Sequence, residues 1–288
     1  MDLAAVLTLD VLNGVASLIL LCTGLAVIFG MMKIINLAHG EFLMLGAYAT
    51  VVAVEAGINI WIAMLVVSPV FVGLVGLLVE RTFIRLLYGR LVDSMLATWG
   101  LSLFLVGLIT TIFGNTIKSV PSPLGGFTIG AYRSSLYTVF LVAVAITLLG
   151  GLWLLMRRTR FGLIARATMQ NPDMAAAMGV SPPRVYMATF GLGAAITGLA
   201  GGLLAPVAGV LPTMGAAYIA KAFITVVAGG TSIIAGSATA SGLFGFINQT
   251  ASYLTTPVIG EVFLFVAAII LIRLLPQGIS GRFFRGSL

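Results

Sequence analysis

Charged positions divide the chain into long apolar runs. Val11–Met32, Ala56–Val79, Ser94–Ile117 and Ser134–Met156 contain no Asp, Glu, Lys or Arg. Each matches the roughly 20 apolar residues that a helix needs to cross the hydrocarbon core of a bilayer. Two further runs, Val185–Ala220 and Ala222–Gly260, are 36 and 39 residues long, too long for one crossing each. Pro206, Pro212 and Gly229–Gly230 offer breaks within them. A last run from Pro257 to Leu275 tolerates Glu261 near one end and Arg273 near the other. The pattern predicts an all-α integral membrane protein with eight or nine transmembrane helices. Ile34–Ala56 decides the count, since it reads as a full span, a broken helix or a re-entrant pair.

Composition strengthens this reading. Of the 288 residues, 60% are hydrophobic and only 8% charged, with a mean hydropathy of +1.17. So little polar surface cannot cover a soluble globule, which excludes a soluble enzyme, and disorder requires low hydrophobicity and high charge. The 35 glycines suit membrane helices, where small residues let backbones approach closely. The net charge of +7 does not point to nucleic acid, because the basic residues lie in short loops between apolar runs. Arg81, Arg85 and Arg90 form one cluster; Arg157, Arg158, Arg160, Arg166 and Arg184 form another; Arg282 and Arg285 lie in the tail. The positive-inside rule puts these three, and so the C-terminus, in the cytoplasm. It puts Gly114–Arg133, whose only basic residues are Lys118 and Arg133, outside. The N-terminus carries Asp2 and Asp10 without a basic region ahead of its apolar run, so a cleaved signal peptide is not expected. Cys22, the single cysteine, has no intramolecular disulfide partner and reads as a packing residue. No loop is long enough to fold on its own core, so residues 1–288 read as one membrane domain.

Missing motifs narrow the chemistry. None of the three lysines (Lys33, Lys118, Lys221) follows a glycine, so there is no GxxxxGK[ST] phosphate loop and no ATP hydrolysis by that route. The single histidine, His39, rules out a multi-histidine metal site, and no metal is expected. No GxSxG nucleophile elbow is present, and no catalytic residue is assigned.

Two segments carry the remaining signal. In GMMKIINLAHGEFLMLGAY (30–48), Lys33, Asn36, His39 and Glu41 fall between apolar stretches, with Gly40 among them. Ionisable residues at membrane depth point to function, and a helix restarting near Gly40 would aim its N-terminal amides at what precedes it. Asn36, His39, Gly40 and Glu41 are therefore candidates for a broken helix that lines a translocation path. The same residues also suit a purely structural role, capping a helix break. The second segment is the arginine-rich loop 157–184. Asn171, Pro172 and Asp173 read as an N-cap and first turn, and Gly179 as a C-terminal stop. The result is a short Ala/Met helix outside the membrane, suited to docking in a partner's groove or to lying on anionic lipid.

INLAHGEFLMLGAY (35–48), ARATMQNPDMAAAMGV (165–180) and the ending LLPQGISGRF (274–283) resemble the membrane permease subunits of the branched-chain amino acid class of ABC importers. YGRLVDSMLATWGLSLFL (88–105) and TMQNPDMAAAMGV (168–180) look closest to the urea-permease branch of that class, from which AAYIAKAFITVVAGG (216–230) departs. The resemblance covers essentially the whole chain. It implies a multi-pass subunit of a prokaryotic inner membrane that pairs with a second permease, related or identical. Two ATPase subunits would bind at the cytoplasmic face and use ATP and Mg; this chain would hold no cofactor. A solute-binding protein would deliver substrate from outside. The 171–180 helix would be the coupling helix, with Asn171, Asp173, Ala175, Ala176 and Gly179 in the matching positions and no Glu before the alanines.

A short internal match accompanies this. Gly24–Leu25–Ala26 leads to His39–Gly40 and Ala47–Tyr48, as Gly198–Leu199–Ala200 leads to Met214–Gly215 and Ala217–Tyr218. Transporters often carry such repeats. The expected mechanism is ATP-driven alternating access for a small neutral or zwitterionic solute: a branched-chain or other hydrophobic amino acid, or urea or a short amide. The competing reading is an ion-coupled secondary transporter that uses Glu41 and His39 as a relay.

Overall fold

The computed structural model describes residues 2–130, 132–230 and 232–283, which are helical almost throughout. Arg285, one of the charges used for orientation, lies outside them. The helices are α1 (Asp2–Met32), α2 (His39–Glu55), α3 (Ile60–Ile62), α4 (Ser68–Thr82), α5 (Leu91–Phe113), α6 (Leu136–Arg158), α7 (Arg160–Gln170), α8 (Pro172–Ala177), α9 (Pro182–Ala208), α10 (Met214–Gly229), α11 (Ile233–Leu254), α12 (Pro257–Leu274) and α13 (Gly278–Phe283). A π-helical turn, Ala63–Val67, joins α3 to α4. Pro69 lies just beyond it. Proline has no N–H to return to the carbonyl four residues back, and the widened turn before it accommodates that loss.

Among the described residues, six helices are long and apolar enough to cross a bilayer: Ala5–Met32, Ile60–Thr82, Leu91–Phe113, Leu136–Arg158, Pro182–Ala208 and Pro257–Gly281. Counting Met214–Gly229 with Ile233–Leu254, a pair bent by 118°, as one span gives seven. The sequence pattern suggested eight or nine. The difference lies in α2 and α10, which have 17 and 16 residues. At about 1.5 Å per residue both fall short of the roughly 30 Å hydrocarbon core.

The chain forms two compact units. One comprises Thr23–Pro121 and Gly151–Ile219 and is built on α2, α4 and α9. α2 is buried on nearly every side, which marks a core helix. Its packing depends on missing side chains: a Cβ on Gly46 would fall on the backbone of Gly198 in α9. The Ser68 hydroxyl sits where the three helices meet, shared between the carbonyls of Gly198 (2.6 Å) and Gly46 (2.9 Å). The other unit comprises Met1–Cys22, Ser122–Gly150 and Ala220–Leu288. There α11 packs on α12 and α13. The segment expected to be irregular contains a small antiparallel hairpin, β1 (Gly126–Ile129) with β2 (Tyr132–Ser135), in register Gly126 to Ser135 and Ile129 to Tyr132.

Candidate translocation path and coupling helix

The helical run that begins as α1 is broken between Met32 and His39. Lys33 takes a left-handed conformation (φ 53°), which ends α1 much as a C-terminal glycine would. Asn36 then turns the chain: its Oδ1 accepts from the Ala38 amide at 3.0 Å, and its carbonyl accepts from His39 N–H at 3.3 Å. Thr98 of α5 steadies the link by accepting from the Leu37 amide at 3.1 Å. α2 starts at His39, so the helix resumes within one residue of the expected position.

All four residues assigned to the broken segment are buried. His39 Nδ1 lies 3.4 Å from Thr197 Oγ1 on α9. Gly40 meets Gly215 at the start of α10 so closely that a Cβ on either would fall on the other's backbone. Glu41 is 4% exposed, with Ser102 beside it, and its Oε2 has no protein partner. Neither has the Asn36 amide nitrogen. The link and the first turn of α2 thus present an unpartnered amide nitrogen and an unpartnered carboxylate oxygen, each able to bond a polar solute or water. The internal match has a spatial counterpart. His39–Gly40 and Met214–Gly215 each open a helix after a short non-helical link, and the two glycines are in contact.

The second set lies in one exposed turn. Asn171 caps α8, its Oδ1 accepting from the Met174 amide at 2.9 Å, with Pro172 in the first turn. Gly179 ends the element at φ 86°. Ala175 is buried, 5% exposed, and anchors α8 on the helices around it. Asp173, Ala176 and the large side chains of Met174 and Met178 face outward. The preceding arginine-rich stretch, whose charges read as loop, is itself helical as α7. Thr159 caps α7 by accepting from Gly162 N–H at 3.1 Å, and a Cβ on Gly162 would strike the Met156 carbonyl.

Other polar groups were not singled out from the sequence. Glu80 is fully buried and receives a hydrogen bond from the Tyr88 hydroxyl; the Tyr88 ring meets Tyr186 edge-on at 5.0 Å. Burial, with the Glu80 acceptor beside it, pushes the Tyr88 phenol well above its ordinary range, so it keeps its proton. Lys221 of α10 pairs with Glu261 of α12, an ion pair between residues 40 apart in the chain. No local spacing rule would have joined them. Among the described residues, no three His, Cys, Asp or Glu side chains cluster as a metal site would require.

The profile of the family described as branched-chain amino acid transport system / permease component matches residues 7–275. The chain belongs to that family. It is 29% identical over 279 residues to the high-affinity branched-chain amino acid transport system permease protein LivH of Escherichia coli, covering 91% of each chain. It is 28% identical to the probable branched-chain amino acid transport permease protein LivH of Methanocaldococcus jannaschii, covering 92% of this chain and 88% of that one. It is 27% identical to the corresponding BraD of Pseudomonas aeruginosa, covering 91% of each. No solved structure matches the chain. As a family member it is a multi-pass permease subunit of an ABC importer and not an enzyme.

Proposed function

We propose that this permease moves a branched-chain or similar aliphatic amino acid inward across a prokaryotic inner membrane, as one membrane domain paired with a second permease, related or identical. Two ATPase subunits at the cytoplasmic face use ATP and Mg, and a solute-binding protein loads the outer face. The full-length relatives named for branched-chain amino acid transport support the substrate class over urea or a short amide. The distribution of arginines supports a cytoplasmic C-terminus. The broken segment, with Asn36, His39, Gly40 and Glu41, lines the path. Its unpartnered amide and carboxylate atoms meet the polar end of the solute.

The observation that carries the ATP-driven reading is α8. A six-residue helix, fixed by its own cap and a single buried alanine, holds Met174, 62% exposed, away from the protein, and Met178 directly after it is 80% exposed. Methionine-rich apolar surfaces suit docking into a groove. α8, with Asn171, Asp173, Ala175, Ala176 and Gly179, is the coupling helix, and the loop 157–184 its frame. ATP binding closes the ATPase pair and shifts α8 as a rigid element, which drives alternating access. Ala176→Arg tests this. The residue is exposed, so the folded chain tolerates the change, while a seated helix does not. Uptake and transport-coupled ATP hydrolysis in proteoliposomes should fall at least tenfold at an unchanged membrane level. Wild-type coupling would remove the assignment.

A further inference from the structure

We propose that the end of α2 carries a docking subsite for an aliphatic amino acid, with the side chain in an apolar cavity and the zwitterionic head on the Glu55–Lys118 pair. The inference rests on the substrate class and the membrane orientation proposed above.

A cavity of about 420 Å³ lies against α2. Its lining includes Leu45, Tyr48 and Val52 of α2, Phe71 of α4, and Ile109 and Phe113 of α5. The size lies within the roughly 300–1,000 Å³ usual for small-molecule sites. The lining is apolar except for Tyr48. That residue is 2% exposed, its ring packs on Phe113 with centroids 4.8 Å apart, and its hydroxyl has no protein partner.

Glu55 stands seven residues beyond Tyr48, two turns along the same helical face. It is the last residue of α2, where a carboxylate adds to the negative end of the helix dipole and so attracts a cation. Lys118 answers it, with Nζ 3.1 Å from Oε1. Its main chain is held by a reciprocal pair of hydrogen bonds with Val210, at 2.9 and 2.7 Å. The two side chains are 35% and 54% exposed, and an ion pair so open to water holds weakly. An amino acid matches this arrangement group by group. Its ammonium replaces the lysine on Glu55, and its carboxylate takes Lys118. Val52 is three residues back from Glu55, about 4.5 Å of helix rise, which is within reach of a leucine side chain. An inorganic ion would use only the charged rim, and a hydrocarbon only the cavity; an aliphatic zwitterion uses both.

The test uses the permease complex with its ATPase subunits in lipid nanodiscs and a diazirine analogue of L-leucine as photolabel, read by peptide mass spectrometry. Label should fall on residues 45–56 and 109–113. Unlabelled L-leucine should displace it, and the same molecule without its carboxylate, isoamylamine, should do so only at much higher concentration. Val52→Trp, at a position already 42% exposed, fills the cavity without disturbing the packed side of α2, and should cut labelling about tenfold. Glu55→Gln should weaken L-leucine competition about fivefold. Label elsewhere, unchanged labelling in Val52→Trp, or labelling by a diazirine phospholipid in place of the amino acid would overturn the subsite. Leucine uptake by the wild-type complex, measured alongside, separates the two proposals. A complex that transports leucine but is not labelled here refutes the subsite alone, whereas one that does not transport leucine refutes the substrate class and the subsite together.

Discussion

An asparagine stands just ahead of both α2 and α8, turning the link before α2 and capping α8 itself. In each, an asparagine side chain folds back onto a backbone amide just ahead: Asn36 onto Ala38 at 3.0 Å, and Asn171 onto Met174 at 2.9 Å. Their surroundings are opposite. His39, Gly40 and Glu41 are buried, and Gly40 touches backbone across from it. α8 is exposed except at Ala175. The same local grammar thus produces a packed junction in one place and a projecting handle in the other. The junction has no room for change, so substitutions there act first on folding. The handle has room on every side but one, so substitutions there act on what it touches.

Three substitutions sharpen that contrast. Gly40→Val should have the largest effect: the new side chain must displace the Gly215 backbone rather than a flexible group, an overpacking cost of about 3 kcal/mol. The variant should fail to give a monodisperse peak on size exclusion in mild detergent. A stable, well-behaved protein would show that the junction is looser than its geometry. Glu41→Gln keeps the shape and removes the charge. It should leave the amount of protein in the membrane unchanged and reduce uptake about tenfold; unchanged uptake would assign Glu41 to holding the helix break alone. Asn171→Ala removes only the α8 cap, worth about 1 kcal/mol, and should lower uptake two- to threefold with folding intact. A loss as large as that of Ala176→Arg would show that α8 is held far less firmly by Ala175 than its burial suggests.

Much of the fold was legible because bilayers impose a length rule, and charged residues punctuate it. α5 and α6 begin and end within a few residues of the uncharged runs that predicted them. The length rule says less about short helices: α2 is packed on nearly every side, whereas α10 leaves Ala216, Ala217 and Ala220 exposed. α2 and α10 are apolar but short, and the sequence alone does not distinguish a short buried helix from part of a crossing one. α7 was hidden for a different reason. Its arginines read as loop charge, whereas its apolar residues follow a helical period along one side. The candidate path residues stood out because ionisable groups are rare in such runs. Their contacts did not: Thr98, Thr197 and Gly215 lie 62 or more residues away from Asn36, and nothing in local spacing singles them out. The Asn171–Gly179 element was fully legible, since capping and stop signals are local by nature.

The bridge between Lys118 and Val210 has a consequence for how the chain exchanges hydrogen with water. Lys118 lies in a stretch without helix, and Val210 in the short link after α9, and such amides ordinarily swap their protons for deuterium within seconds. Here each donates to the other's carbonyl, at 2.9 and 2.7 Å. Two isolated slow-exchanging amides should therefore stand out within otherwise fast segments, and they should lose protection together when the link opens.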